Sequence, residues 1–224
     1  LGRRLPGVPE CRVRLGCFAY HSARPENSRR VIRAPMASKP MPSDRTPAAE
    51  SGAVRLPDWE VLEVSGADAL AFLQRQTMND VAALADGAGH WNGLLNAKGR
   101  LQALFVLLRR DPQCAWLLAP DLPAEALAGL LRPFVLRSKA SLVPRPALRV
   151  AGLRHDAAAS DAAPTTLAEF DLGDGVRRLG VIAATEDTGL ADDDGAWRFA
   201  DVVAGIPRLD ATQRDAWTPH MLSL

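Results

Sequence analysis

The chain has 224 residues, of which 47% are hydrophobic and 24% charged, and 27 basic against 26 acidic residues leave a net charge of +1. This is the composition of a globular protein with one large or two small domains, without the charge excess that marks proteins built to bind nucleic acid or acidic membranes. The absence of a long apolar run and of metal-type or disulfide-type cysteine spacing predicts a cytoplasmic protein without a metal site.

The first 36 residues are basic, with eight arginines against Glu10 and Glu26, and show little apolar periodicity. An organellar transit peptide, an arm that touches RNA or a membrane, and an upstream extension outside the working protein all have this composition. We favour the extension, because a plausible start, Met36, lies just before a polar stretch. Residues 1–53 are therefore predicted to be a basic extension and lead-in without a fold of their own.

The first predicted elements are a strand and a helix. Residues 59–64 alternate apolar and polar side chains, which is typical of a half-buried strand. Ser65 is then expected to cap the helix, with Asp68 completing a capping box. The helical spacing predicts burial of three apolar side chains: Leu70, Phe72 and Leu73.

A hairpin is predicted next, because residues 90–95 and 100–108 are two β-type runs around the turn at 96–99. The second run is apolar on both faces, so it should be a central strand of a sheet that is covered on both sides. Residues 115–118 predict a further strand.

Asp121 is expected to cap a second helix, with Pro123 in its first turn. This helix carries four large apolar residues: Leu127, Leu130, Leu131 and Phe134. Residues 138–143 and 148–153 then predict two more strands.

Residues 154–166 predict a loop, 176–183 a strand and 197–204 a short helix that ends at Gly205. The three aspartates at 192–194 could hold a metal or complement the dipole of that helix, and we favour the dipole. Helices interleaved with hairpins indicate an α+β fold.

No catalytic constellation is visible in the sequence, and the four histidines are scattered. Lys98 lies at the hairpin turn, where a lysine can project from a rigid scaffold toward an anion. Lysine also flanks such turns simply for solubility, and the residues alone favour that explanation.

Two tryptophans flank polar residues: Trp59 opens the first strand and Trp197 opens the last helix. If exposed or half-exposed, they offer flat surfaces for a planar ligand, a contact of roughly 1–3 kcal/mol per ring. They could equally be plugs at the periphery of the core, and their spacing does not decide between these alternatives.

Five segments in order resemble the YgfZ family, folate-binding proteins related to the aminomethyltransferase (T-protein) of glycine cleavage. They are the strand, helix and Asn-Asp-Val of 59–81, the Ala-Lys-Gly-Arg of 97–100, the Arg-Ser-Lys-Ala of 137–140, the Ala-Gly-Ile-Pro of 204–207 and the closing segment 217–224. Together the matches span about residues 57–224.

The resemblance implies ferredoxin-like α+β halves of a ring around a folate channel, with a first lobe at 54–147 and a shortened second lobe at 148–224. Trp59 and Trp197 occupy positions that the family uses for folate, and with Lys98 they are the implied contacts to tetrahydrofolate or another folate. The implied role is an accessory one, the upkeep of iron–sulfur enzymes and so of tRNA modification, with no direct nucleic-acid or membrane partner.

The sequence departs from the family at its end. The Lys-Gly-Cys signature and the C-terminal barrel domain are absent, and His220 and Ser223 replace the usual Gln and Asn. The chain is therefore expected to be a fragment, and no catalytic residue is assigned. Two alternatives stay open: a tetrahydrofolate-dependent aminomethyltransferase, for which Asp80 is not a secure catalytic residue, and an inactive truncated remnant of poor solubility.

Overall fold

The structure is a computed structural model that describes residues 52–154, 164–187, 189–193 and 195–224. The expectations for residues 1–51 and for most of the 154–166 loop lie outside this part of the chain. The strands are β1 (Ala53–Arg55), β2 (Trp59–Ser65), β3 (Gly89–Leu95), β4 (Leu101–Asp111), β5 (Cys114–Pro120), β6 (Ser141–Pro144), β7 (Leu148–Arg154), β8 (Thr166–Asp171) and β9 (Arg177–Ala183). The α-helices are α1 (Ala69–Gln76), α2 (Ala124–Leu131) and α3 (Ala196–Ala204), and short 3-10 turns cover Arg132–Phe134 and Pro219–Leu222.

These strands form two antiparallel sheets, which confirms the predicted α+β class. The first sheet has the order β3-β4-β5-β2-β6 and the second β1-β7-β9-β8. Within the first, the succession β2-α1-β4-β5-α2-β6 has the ferredoxin-like arrangement, and β3 adds one strand at its edge. None of the helices in the described ranges is long and apolar enough to cross a membrane.

The first sheet is covered on both faces, as its apolar sequence predicts. On one face, Phe105 and Leu107 of β4 pack with Phe72 of α1 and Leu127 of α2. The opposite face packs against the second sheet through the inter-sheet core, which we define by its buried members: Leu56, Trp59, Val61, Val106, Leu108, Cys114, Trp116, Leu118, Val150, Leu179, Val181 and Trp197. Complete burial of each large apolar side chain contributes about 1.5–3 kcal/mol, so the layers hold each other in place.

The segment after α3 returns to the first sheet. The amide of Leu101 donates to the carbonyl of Trp217 at 2.8 Å, and Leu209 is buried against Leu101 and Leu104. The residues that follow the second sheet in the chain therefore brace the hairpin between β3 and β4.

Both predicted helix caps are wrong. Ser65, the predicted cap of α1, is the last residue of β2, and Asp68 holds the N-cap position instead. The side chain of Asp68 does not cap α1; its Oδ2 accepts instead from the backbone N–H of Lys139 at 2.8 Å. Asp121 has a positive φ of 58° and also does not cap its helix, whose first amide, that of Ala124, donates to Oε2 of Glu60 at 2.8 Å. The carboxylate of Asp68 and the first amide of α2 thus each pair with a partner distant in sequence, and in α2 that partner replaces the local cap.

Several details of burial, strand length and strand number also differ from expectation. Leu70 and Leu130 are only partly buried, and Phe134, in the 3-10 turn after α2, is 53% exposed. Strand β6 begins at Ser141, later than predicted, because the preceding residues form the loop that receives Asp68. Strands β1 and β8 were not predicted at all.

Candidate functional site

The structure places Trp59 and Trp197 together in the inter-sheet core, where they are 3% and 4% exposed. Of the two alternatives for these side chains, the core position is therefore the one observed. The alternative in which the two indole rings are exposed or half-exposed is wrong.

Trp197 is held by contacts on several sides. Its backbone N–H donates to Oδ1 of Asp193 at 2.9 Å, so one of the three predicted aspartates does serve the start of α3. Its ring lies against Gly152 so closely that a Cβ there would come within 2.4 Å of Cζ3. The guanidinium of Arg177 lies 5.0 Å from the ring centroid, in the range of a cation–π contact.

Trp59 has a similar environment at the start of β2. The guanidinium of Arg208 lies 5.3 Å from its ring centroid, and the ring of Trp91 is tilted by 55° at a centroid distance of 6.1 Å. Each tryptophan of the pair thus carries an arginine over its ring.

The two arginines are joined by one carboxylate. Asp201 of α3 accepts from Nη1 of Arg177 at 2.8 Å and from Nε of Arg208 at 2.9 Å. Arg208 also reaches Asp58 at 3.0 Å and Asp121 at 3.4 Å. We call these five residues the arginine–aspartate cluster. Burial raises the pKa of Asp201, while the two guanidiniums act against that rise.

The indole nitrogens of the pair differ from that of a third tryptophan in the same core. Nε1 of Trp116 donates to Oε2 of Glu63 at 3.2 Å. Nε1 of Trp59 and Nε1 of Trp197 are buried and find no acceptor among the residues that the structure describes. A buried N–H without an acceptor is costly, so these two donors mark the pair as chemically unusual.

Lys98 lies elsewhere, on the exposed turn between β3 and β4. Oδ1 of Asn96 accepts from the backbone N–H of Lys98 at 2.8 Å and of Arg100 at 3.0 Å, which fixes the turn. Asp215 accepts from Nδ2 of Asn96 at 2.7 Å and borders the same shallow concavity. The structure thus unites the two tryptophans in one core but leaves Lys98 outside it.

A second buried polar group, centred on Asn92, was not predicted from the sequence. Asn92 is fully buried in β3; its Oδ1 accepts from the amide of Asn79 at 3.1 Å, and its Nδ2 donates to Oγ1 of Thr77 at 3.1 Å. The same Nδ2 lies 3.0 Å from Nε2 of His90, which must accept and so be unprotonated. Burial lowers the pKa of His90, and the charge of Asp80 opposes this. The sequence feature that could have indicated this group is the single asparagine inside the predicted strand at 90–95.

The arginine–aspartate cluster had no such signal, because Asp58, Asp121 and Arg177 are far apart in the sequence and no member stands in a recognisable motif. Within the described ranges, no group of three or more His, Cys, Asp or Glu side chains could hold a metal ion.

The chain resembles several known proteins, although no family model matches it. It is 26% identical over 172 residues to an uncharacterized protein of Haemophilus influenzae and 26% identical over 200 residues to the tRNA-modifying protein YgfZ of Edwardsiella ictaluri. Each match covers 76% of this chain and 59% of the relative, so the chain spans less than two thirds of their length.

Two further matches are more limited in extent. The mitochondrial iron–sulfur cluster assembly factor IBA57 homolog of Cryptococcus neoformans is 42% identical over 83 residues, which are 35% of this chain and 21% of that protein. The crystal structure of the glycine cleavage system aminomethyltransferase T from Bartonella henselae superposes with a TM-score of 0.51 and 18% identity, over 62% of this chain and 46% of that one. The chain is therefore similar in sequence to YgfZ over 76% of its length and shares the fold of the aminomethyltransferase T structure, as its sequence motifs predict.

Proposed function

We propose that this chain is a folate-binding protein of the YgfZ type that supports the assembly or repair of iron–sulfur enzymes and, through them, tRNA modification. The observation that carries the proposal is the match to YgfZ over 76% of the chain. The shorter match to an iron–sulfur cluster assembly factor supports the same class of function.

The proposed ligand is tetrahydrofolate or another folate, and Trp59 and Trp197 are its proposed contacts. Two buried N–H groups without acceptors support this site, since carbonyl and carboxylate oxygens of a folate could accept from them. Lys98, an exposed cation on a braced turn, is a third proposed contact that suits a carboxylate. A planar ring finds no open indole face to stack on, because Trp59 and Trp197 are only 3% and 4% exposed.

A second candidate function is that of a tetrahydrofolate-dependent aminomethyltransferase, which the fold likeness to the T protein favours. The two functions separate in a glycine-cleavage assay with lipoylated carrier protein. An aminomethyltransferase turns over in that assay, whereas an accessory protein of the YgfZ type does not.

The proposed role is tested by expressing the 224-residue chain in a bacterial strain that lacks its own YgfZ. We expect recovery of an iron–sulfur enzyme's activity and of the tRNA modification that depends on such an enzyme. Folded, soluble chain in the cells without either recovery would contradict the proposed role.

A further inference from the structure

The outer side of α1 carries a hollow, on the face of the first sheet that lies opposite the inter-sheet core. Its volume is about 450 Å³, and it is lined by Leu70, Ala71, Gln74, Arg75, Ala82 and Arg109. The lining thus combines three apolar side chains with one amide and two guanidiniums. A concave site of this size, mostly apolar with a few polar groups, is typical of a place where a ligand or a partner's side chain binds.

The loop that follows α2 lies beside this hollow. Nη2 of Arg75 donates to Oγ of Ser138 at 3.2 Å, which joins the end of α1 to the loop. Two residues before Ser138, Leu136 is 83% exposed, more than any other large apolar side chain that the structure describes, and Phe134 is 53% exposed. Single exposed apolar residues are ordinary, but two of them beside a hollow indicate an interaction surface.

The cations of this surface give it a positive charge. Arg75, Arg137 and Lys139 are exposed, and none of them forms an ion pair with a residue in the described ranges. Two further cations are already paired: Arg109 with Asp86 and Arg132 with Glu125. Three guanidinium or ammonium groups therefore remain for carboxylates that a partner brings.

These features favour one class of partner. An apolar hollow receives a side chain that protrudes from its partner, which the flat surface of a bilayer does not offer. Nucleic acids are bound by cations that follow a series of phosphates, and the cations here surround apolar residues instead. A segment of a protein that carries both leucine-like side chains and carboxylates matches the hollow and the charge together.

We infer that the hollow on α1 and the loop at 134–139 form a docking surface for an acidic segment of another protein. An apolar side chain of that segment enters the hollow beside Ala71, and its carboxylates pair with Arg75 and Arg137. The first sheet separates this docking surface from Trp59 and Trp197. The inference therefore goes beyond the proposed function and does not depend on it.

The test uses the 224-residue chain, labelled with ¹⁵N, and the capped peptide Asp-Glu-Leu-Leu-Glu-Asp as the probe. Saturable shifts of the backbone amide signals of Ala71, Arg75, Leu136 and Arg137 are expected, while the signals of α3 stay in place. The matched peptides Lys-Lys-Leu-Leu-Lys-Lys and Asp-Glu-Ser-Ser-Glu-Asp lack the negative charge or the apolar side chains. Each is expected to bind at least about tenfold more weakly than the acidic peptide.

Ala71→Glu separates binding from folding. The new carboxylate occupies the hollow and lies four residues before Arg75, a spacing that stabilises a helix. This variant is therefore expected to unfold at the same temperature as the unmutated chain or higher, and to bind the acidic peptide at least about fivefold more weakly. Val203→Glu adds the same charge at an exposed position of α3 and is expected to leave the affinity unchanged.

Removal of single charges gives a second measurement. Arg75→Gln and Arg137→Gln are each expected to weaken binding of the acidic peptide about two- to fivefold, because exposed ion pairs contribute modestly. Added salt is expected to weaken binding to the unmutated chain. Arg178→Gln removes the same charge from the second sheet and is expected to leave the affinity unchanged.

The possible outcomes support or overturn the docking surface. Absence of shifts at millimolar acidic peptide, or equal weakening by Ala71→Glu and Val203→Glu, would overturn it. If the same signals responded more strongly to oligo(dT), or to vesicles of phosphatidylcholine and phosphatidylglycerol, the partner would be a nucleic acid or a membrane and the assignment to a protein would be wrong. None of these outcomes bears on tetrahydrofolate binding, which is measured separately.

Discussion

Arg177 and Asp201 form an ion pair inside the protein, with Nη1 and Oδ1 2.8 Å apart and side chains only 5% and 1% exposed. The pair ties the start of β9 to the middle of α3 and holds the guanidinium over Trp197. Because desolvation offsets the attraction of buried charges, such a pair adds little net stability, but removal of one partner leaves the other uncompensated. We therefore interpret the cluster as the device that fixes α3, and with it Trp197, against the second sheet.

Replacing the carboxylate of Asp201, which Arg177 and Arg208 share, should destabilise the fold. Asp201→Asn removes the charge that both guanidiniums share but leaves Arg177 paired with Asp174, and Arg208 keeps its other carboxylates. We therefore expect the free energy of unfolding to fall by about 1–3 kcal/mol. Urea denaturation measures this. Glu125→Gln is the control, because it breaks an exposed pair with Arg132 and should cost less than about 1 kcal/mol. Equal losses in both variants would contradict the buried role of Asp201.

Two glycine substitutions should have opposite effects. Gly152→Ala places a methyl group within 2.4 Å of Cζ3 of Trp197, and we expect a loss of about 1–3 kcal/mol from overpacking. Gly129→Ala adds the same methyl group in open space on α2 and should stabilise by about 0.5–1 kcal/mol through helix propensity. Denaturant midpoints compare the two, and a Gly152→Ala protein as stable as the unmutated one would show that Trp197 does not pack here.

The pH dependence of stability should report His90. Its pKa is lowered in the folded state from 6.5, so its contribution to stability is present above about pH 6.5 and is lost as the pH falls. Protonation would also remove the acceptor of Asn92. Urea unfolding between pH 7.5 and 5 is therefore expected to be less pH-dependent in His90→Gln. The control His220→Gln, at an exposed site, is expected to give the same pH dependence as the unmutated protein. If His90→Gln also gave that pH dependence, the role of His90 would be refuted.

Lys98 is the third proposed folate contact and the easiest to test without disturbing the core. Lys98→Ala is expected to weaken tetrahydrofolate binding by up to about fivefold, an effect that added salt reduces, because an exposed charge contributes at most about 1 kcal/mol. Lys139→Ala removes the same charge from another exposed loop and should leave binding unchanged. The same loss in both variants would indicate a general charge effect and no contact by Lys98.

Local patterns were sufficient to predict much of the fold. Alternation predicted β2, and the two apolar runs around Asn96 predicted the β3–β4 hairpin and the double-sided burial of β4. These patterns are reliable because strand periodicity and turn chemistry are properties of neighbouring residues.

The two helix caps were predicted wrongly because the contacts that form instead are not local in the sequence. Glu60 meets the start of α2 from 64 residues away, and Asp68 meets Lys139 from 71 residues away, so no local cap rule could find either contact. Strand β8 is an edge strand of six residues with half-buried and exposed positions in alternation, and its three apolar residues form no regular alternation with the polar ones. At the candidate site, the motif identified Trp59 and Trp197, while their burial and their arginine partners follow from the packing of the two sheets.

Calorimetric titration of the 224-residue chain with tetrahydrofolate tests the central claim most directly. The account predicts saturable binding of one folate per chain, weakened by Trp197→Phe in a protein that still unfolds cooperatively. Absence of binding at millimolar tetrahydrofolate, or binding that Trp59→Phe and Trp197→Phe both leave unchanged, would contradict it.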